Sequence, residues 1–443
     1  CIRDRVSVIV LNGIIVTMNP RREIIERGGI AIDGNTIIDV GKSEHIKKKY
    51  SADVVLDARY KAVLPGFVNA HTHVPMTLMR GYADDVEFTR WFDAVNPLVM
   101  AMSYEDAYAA SLLGCAEMIK SGITCFADMY NIKKVAPAVE KVGMRGVIAD
   151  SDGDVWAASV ESDTEGLVKM MRNNILHWTG KADGRITCMF GPHSPYGCSK
   201  EMLKLIREEA NEIRAGIHIH VAETQKEVKE IKEKYGQTPV KYLEAIGFLG
   251  PDVLAAHCVW TGDKEIDALA KYGVKIVHNP VSNAKLAVGL AQIPRMLRKG
   301  LTIALGTDGP ASNNCLDLFE EMKFAALIHK SYSADPTVLP ANQVLEMGTV
   351  NGARALRLEK EVGSIEVGKK ADVILVNLKS PHLTPCHDIV SHLVYAAKGS
   401  DVDTVIINGR MVMANRRILA LNESNLMKDV QERALQLVRR CSK

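Results

Sequence analysis

The sequence lacks the features of membrane, secreted and nucleic-acid-binding proteins. Its 443 residues carry 55 Lys and Arg against 53 Asp and Glu, so no excess charge would attract nucleic acid or an anionic membrane. No apolar run reaches the roughly 18–20 residues that a membrane span needs, and the N-terminal residues do not resemble a signal peptide. The nine cysteines are scattered and form no CxxC pair, which is typical of free thiols in a reducing compartment. We therefore expect a cytoplasmic protein without nucleic-acid or membrane partners.

Both ends of the chain are patterned as short strands separated by turn residues. The strand candidates are Val6–Leu11, Ile14–Met18, Gly29–Ile32, Thr36–Val40, Val54–Asp57, Ala371–Leu375, Val402–Ile407 and Arg410–Val412, with hairpin turns at Asn12-Gly13, Asp33-Gly34-Asn35 and Asn408-Gly409. A helical pattern follows near Leu426–Val438. We predict a small β-sandwich domain formed from residues 1–64 and 370–443, with residues 65–369 inserted between its two parts.

The inserted segment alternates short apolar runs with amphipathic stretches such as Tyr104–Lys120, Lys200–Ile213 and Lys264–Tyr272. The eight runs are Ala62–Asn69, Ile123–Asp128, Gly146–Ala149, Ile186–Phe190, Gly216–Val221, Val253–Ala256, Val274–Val277 and Leu301–Leu305. Eight such α/β units favour a (β/α)8 TIM-type barrel over an open sheet. The runs are nearly continuous, as expected for parallel strands buried on both faces. An open sheet would also need a glycine-rich phosphate loop after its first strand, and none is present.

Polar residues end several of these runs. In a barrel, the C-terminal ends of the strands form the active-site face. The first run ends in His71 and His73, which point to the same side of a strand because they are two residues apart. The later runs end in His220 followed by Glu223, in His257, in His278 and in Asp308.

A single histidine at a strand end is commonly structural, and a single aspartate can cap the next helix. Several histidines and a carboxylate that converge on one face are better explained by a metal ion. Such a ligand set suits Zn²⁺ or Fe²⁺ and leaves a position open for water. His218 shares a strand face with His220. We favour His220 as the ligand, because Glu223 follows it, and place His218 one layer lower in the barrel.

Taken together, these segments resemble the amidohydrolase superfamily. The resemblance is strongest to the branch that holds the S-adenosylhomocysteine and methylthioadenosine deaminases and the s-triazine hydrolases. It spans essentially the whole chain and keeps the family order. The matching segments are residues 65–73 (PGFVNAHTH), 191–196 (GPHSPY), 220–224 (HVAET), 256–258 (AHC), 278–283 (HNPVSN), 306–309 (GTDG) and 363–372 (GSIEVGKKAD).

The resemblance implies one divalent metal ion, zinc with iron as the alternative, held by His71, His73, His220 and Asp308. Binuclear relatives carry a bridging lysine, and no strand end offers one here, so we expect a mononuclear site.

The resemblance also implies three catalytic residues. Asp308 would accept a proton from the attacking water, Glu223 would carry protons to the ring nitrogen and the leaving amine, and His257 would hydrogen-bond the attacking oxygen. An ester or lactam hydrolase needs no proton donor for a ring nitrogen. Glu223 therefore favours hydrolytic deamination of an aminated nitrogen heterocycle.

Three residues match the substrate site of the adenosine-type deaminases. Trp91 matches a pocket-lining tryptophan, His193 matches a residue that contacts the purine, and Arg145 matches an arginine that meets the amino-acid carboxylate of S-adenosylhomocysteine. We expect these three residues and Glu223 to bind the substrate, which the resemblance implies is an adenosine derivative such as methylthioadenosine, S-adenosylhomocysteine or adenosine.

Two residues of that substrate site are missing. The acidic residue that holds the ribose hydroxyls should follow Pro97, where Leu98-Val99-Met100 stand, and residues 151–156 contain no second arginine. A sugar without partners for its hydroxyls would bind poorly. The alternatives are therefore a guanine or other aminopurine, a pterin or an s-triazine.

The superfamily also contains a different class of protein. Some dihydropyrimidinase-like members of the superfamily have lost their metal and serve as scaffolds. The complete ligand set argues against that role here. The resemblance further suggests a homo-oligomer.

Overall fold

The computed structural model describes residues 3–153 and 163–442. Its strands are β1 Asp4–Val16, β2 Ile24–Asp33, β3 Thr36–Lys42, β4 Tyr50–Asp57, β5 Lys61–Pro65, β6 Phe67–Thr72, β7 Ile123–Tyr130, β8 Arg145–Asp152, β9 Ile186–Pro192, β10 Gly216–Val221, β11 Val253–His257, β12 Lys275–His278, β13 Ile303–Leu305, β14 Val373–Asn377, β15 Val402–Ile407, β16 Arg410–Ala414 and β17 Arg417–Ile418.

The helices lie mostly between the strands of the central segment. They are α1 Ser43–Lys49, α2 Phe88–Ala101, α3 Tyr104–Lys120, α4 Ile132–Val142, α5 Thr164–Trp178, α6 Lys181–Gly184, α7 Lys200–Ile213, α8 Gln225–Tyr235, α9 Pro239–Ala245, α10 Asp263–Lys271, α11 Pro280–Lys285, α12 Ile293–Arg298, α13 Leu318–Ser333, α14 Ala341–Met347, α15 Val350–Ala355, α16 Ile389–Tyr395 and α17 Glu423–Cys441.

Strands β6 to β13 form a parallel sheet in chain order, with each strand followed by helical segments. The two outer strands meet and close the sheet into a barrel. The amide of Asp308 donates to the carbonyl of His71 at 3.0 Å. The side chain of Asn69 binds both the amide and the hydroxyl of Thr307, at 3.0 and 2.8 Å. The predicted (β/α)8 fold is confirmed.

The strands from the two ends of the chain form the other sheet, in the order β17-β16-β15-β14-β5-β1-β2-β3, with β4 also paired to β1. The N-terminal and C-terminal parts meet where β5 runs antiparallel to β14, with Leu64 opposite Ile374. The hairpins predicted at residues 33–35 and 408–409 are present.

Two predicted strand boundaries were wrong. The run Ala62–Asn69 is divided at Gly66 between β5 of the terminal sheet and β6 of the barrel. A Cβ at Gly66 would lie 2.1 Å from the side chain of Thr124, so only glycine allows this approach. Asn12-Gly13 does not turn the chain, because β1 continues through it with a register shift. Asn12 takes a left-handed φ of 68° there, which is the conformation of a bulge residue rather than of a hairpin loop.

Candidate active site

The carboxyl ends of the barrel strands bring the predicted polar residues together. His71, His220, His257 and Asp308 are each at most 5% exposed, although they come from four different strands. Ligand atoms of His71, His73 and Asp308 lie within 4.8 Å of one another, as do those of His71, His220 and His257.

The hydrogen bonds of His73 and His220 show that the Nε2 atoms of these two residues face each other with their lone pairs. Nδ1 of His73 lies 2.7 Å from the carbonyl oxygen of Met129, and Nδ1 of His220 lies 2.7 Å from that of His193. A carbonyl oxygen can only accept, so each Nδ1 carries the proton and each Nε2 presents a lone pair. The two Nε2 atoms are only 3.2 Å apart. Two facing lone pairs repel unless a cation lies between them, so the site fits a metal ion.

Asp308 completes this arrangement. Its Oδ1 lies 3.4 Å from Nε2 of His71 and 3.3 Å from Nε2 of His73. Its Oδ2 accepts hydrogen bonds from the hydroxyls of Ser282 and Ser312, at 2.6 and 2.8 Å. Burial alone would raise the pKa of Asp308, but the neighbouring histidines hold it well below its usual range. The carboxylate is thus ionised and fixed, with Oδ1 turned toward the imidazoles.

His218 supports this cluster from below. Its Nε2 lies 2.9 Å from Nδ1 of His71, while Nε2 of His71 is buried and has no hydrogen-bond partner among the described residues. A proton on Nδ1 of His71, donated to His218, would leave that Nε2 free to hold a metal ion. The sequence placed His218 one layer lower, but gave no sign of this contact, because the two histidines belong to different strands.

Glu223 and His257 lie beside the ligand cluster. Oε2 of Glu223 is 3.9 Å from Nε2 of His257, whose Nδ1 is fixed by Oδ1 of Asn283 at 2.9 Å. Burial raises the pKa of Glu223. Burial would lower the pKa of His257, but Glu223 and Asp308 raise it. Two ionisable groups with opposite charge preferences thus lie side by side next to the cluster.

The backbone that carries Glu223 is held by a second buried carboxylate. Glu227, 2% exposed, accepts hydrogen bonds from the amides of Ala222 at 2.9 Å and of Glu223 at 2.8 Å. Ala222 has a left-handed φ of 51°, which is uncommon for a residue other than glycine. Glu227 thus stabilises the turn that points Glu223 toward the cluster. The sequence analysis did not identify it, although it lies one helical turn after Glu223.

A cavity of about 640 Å³ opens above the cluster. Trp91 lines it and is oriented by a hydrogen bond from Nε1 to the carbonyl of Ala311 at 3.1 Å. His193 also lines it, and burial lowers the pKa of this imidazole to about 3, so it is neutral. The remaining wall from α2 is largely apolar and includes Val95 and Val99. A flat heterocycle would thus meet aromatic and apolar side chains.

Arg145 is not in this cavity, so its predicted contact with the substrate needs correction. It opens β8, at the amino end of the barrel, whereas Ser151 and Gly153 at the other end of the strand line the cavity. Its guanidinium pairs with Asp372, with Nε–Oδ2 at 2.9 Å and Nη2–Oδ1 at 3.1 Å. Arg145 therefore joins the barrel to the terminal sheet. In the loop predicted to lack a second arginine, positions 154–156 lie outside the described residues.

A closed parallel barrel with imidazoles and a carboxylate converging at its C-terminal face is the arrangement expected of a metal-dependent hydrolase. Residues 62–412 match the amidohydrolase family, and the chain belongs to that family. No helix among the described residues has the length and apolar character needed to cross a membrane.

Known proteins resemble the chain over its full length. It is 49% identical to a 5'-deoxyadenosine deaminase of Methanosarcina barkeri over 98% of this chain and 99% of that protein. It is 45% identical to a 5-methylthioadenosine/S-adenosylhomocysteine deaminase of Thermoanaerobacter pseudethanolicus over 98% of this chain and 100% of that protein. The crystal structure of an adenosine deaminase from Xanthomonas campestris with bound zinc superposes with a TM-score of 0.94 at 30% identity, covering 99% and 100% of the two chains.

Proposed function

We propose that the protein is a metal-dependent deaminase that hydrolyses the exocyclic amine of an adenosine derivative, with 5'-substituted adenosines as its substrates. The observation that carries the proposal is the placement of Glu223 and His257 beside the imidazole–carboxylate cluster, at the base of an apolar cavity. The two full-length relatives are named as deaminases of 5'-substituted adenosines, which supports the same class of substrate.

The ligands that fit the ion are Nε2 of His71, His73 and His220 together with Oδ1 of Asp308. We propose zinc, because the superposed adenosine deaminase was solved with zinc. A divalent ion held there would act as a Lewis acid that lowers the pKa of water toward neutrality. We further propose that the protein acts in the cytoplasm as a homo-oligomer.

Three side chains of the protein then have separate roles in the reaction. Asp308, ionised beside the cluster, accepts the proton of the attacking water. Glu223, whose pKa is raised by burial, donates a proton to the ring nitrogen next to the attacked carbon. It then takes a proton from the hydroxyl that has added to that carbon and passes it to the amine, so that the carbonyl forms as ammonia leaves. The proton held by Asp308 finally restores the acid form of Glu223. His257 donates a hydrogen bond to the attacking oxygen and stabilises the charge that develops there. Trp91 and His193 hold the ring, and the apolar wall excludes water around it.

Ammonia release by the zinc-loaded protein tests this function. The substrates are 5'-deoxyadenosine, methylthioadenosine, S-adenosylhomocysteine, adenosine, guanine and melamine, and atrazine is followed by the release of chloride instead. We expect ammonia from the nucleosides, at a rate about 10²–10⁴-fold lower in a Glu223→Gln variant that retains its metal. Turnover confined to a free base or a triazine would refute the proposal. In that case the apolar residues after Pro97 would mark a pocket for a smaller ring.

A further inference from the structure

The wall of the catalytic cavity contains an amine whose role the proposed reaction does not explain. Lys134 lies in the first turn of α4, directly after β7, and among the described residues that line the cavity it is the one lysine or arginine. It is half-buried, and burial lowers the pKa of its ammonium.

The ammonium of Lys134 is poorly satisfied within the protein. Its Nζ donates a long hydrogen bond of 3.4 Å to the carbonyl of Met102 and lies 5.9 Å from the ring centre of Tyr130. In the part of the chain that the structure describes, no carboxylate forms an ion pair with it. Lys285, at the mouth of the same barrel face, lies 2.6 Å from Asp84. A half-buried charge without a counter-charge costs free energy, so a ligand that supplies one is favoured.

The position of Lys134 separates it from the reacting end of the cavity. Glu223 and His257 follow β10 and β11, whereas Lys134 follows β7 and has Asn131 and Ser151 as polar neighbours in the cavity wall. A purine bound with its amine at Glu223 would extend its sugar and 5' substituent along the rest of the wall. Arg145 pairs with Asp372 outside the cavity, so among the described residues of the cavity wall Lys134 is the lysine or arginine that can meet that substituent.

We propose that Lys134 is a specificity-determining residue that binds a carboxylate on the 5' substituent of the nucleoside, such as the carboxylate of the amino-acid tail of S-adenosylhomocysteine. The inference rests on the proposed function. A single ammonium suits a monoanionic carboxylate, whereas a phosphate is usually held by several cations or amides. The protein therefore favours adenosines whose 5' substituent carries a carboxylate. Adenosines whose 5' substituent ends in an apolar group contact only the α2 wall.

The test is a Lys134→Met variant, which keeps the length of the side chain and removes the charge. Steady-state kinetics give the ratio of kcat/KM for S-adenosylhomocysteine to kcat/KM for methylthioadenosine. We expect this ratio to fall at least about 10-fold, mainly through KM, because a hydrogen bond to a charged group is lost. Lys133→Met is the matched control. Lys133 is exposed and does not line the cavity, so the ratio should stay at its wild-type value.

An unchanged ratio in Lys134→Met would overturn the inference. An equal loss for both substrates would overturn it as well, since it would show that Lys134 holds the part that the two nucleosides share. Both results leave the deaminase proposal intact. If the wild-type protein loaded with zinc releases ammonia from neither nucleoside, the proposed function itself fails.

Discussion

Replacing Arg145 distinguishes a structural ion pair from a substrate contact. Its guanidinium and the carboxylate of Asp372 are almost completely buried, and Oδ1 of Asp372 also accepts the amide of Asn408 at 2.8 Å. An Arg145→Met substitution conserves much of the volume but leaves a buried carboxylate without its cation. Removing one partner of a buried pair costs about 3–5 kcal/mol. We expect the free energy of unfolding to fall by that amount, while kcat/KM of the folded enzyme stays close to wild type.

Urea denaturation followed by fluorescence measures the loss, and steady-state deamination measures the catalytic constants. In the double variant Arg145→Met/Asp372→Asn, much of the lost stability should return, because the unpaired charge is gone. Arg172→Met removes the partner of Glu209 and Glu212, whose carboxylates keep contact with solvent, and should change the denaturation midpoint little. An Arg145→Met protein of wild-type stability with a raised KM for S-adenosylhomocysteine would refute this reasoning and restore Arg145 to the substrate site.

Three further substitutions probe the site and its surroundings. Glu223→Gln should lower kcat by about 10²–10⁴-fold with metal content unchanged, because the proton carrier is lost; a smaller loss would assign the proton transfer to another group. Glu227→Gln should lower kcat by about 10²-fold with little change in KM, because one of its two amide contacts is lost and Glu223 shifts; equal changes in both constants would contradict a positioning role. Burial lowers the pKa of His329 from 6.5 to about 4. Between pH 6.5 and 4 the unfolded chain therefore binds more protons than the folded chain, and the free energy of unfolding falls as the pH is lowered through this range. His329→Gln should remove about 3 kcal/mol of this pH dependence in urea titrations, and parallel wild-type and variant curves would argue against it.

The convergence of the proposed metal ligands could be predicted because its signal is local. In a parallel barrel every strand points the same way, so a polar residue at the end of an apolar run lies on the shared active-site face. His71, His73, His220 and Asp308 all follow this rule, and the structure brings them together. The same rule should have excluded Arg145, because that residue begins its strand and therefore lies at the opposite end of the barrel.

The contacts that support the ligands could not be read from the sequence. The hydrogen bond between His71 and His218 and that between Asp308 and Ser282 join residues from different strands or loops. Their pairing depends on the register and closure of the barrel rather than on any motif. The division of the first apolar run at Gly66 was missed for a similar reason. The glycine matters because Thr124 of a neighbouring strand leaves no room for a Cβ, and no pattern in residues 62–69 reveals that neighbour.

Titration of the metal-free protein with zinc, followed by the rate of ammonia release from 5'-deoxyadenosine, tests the central claim most directly. The facing nitrogen atoms of His73 and His220, with Asp308 beside them, make one site for one ion. We predict that the rate rises from zero in proportion to added zinc and saturates at one ion per chain. Full turnover by the metal-free protein, or no turnover at any zinc content, would contradict a metal-dependent nucleoside deaminase.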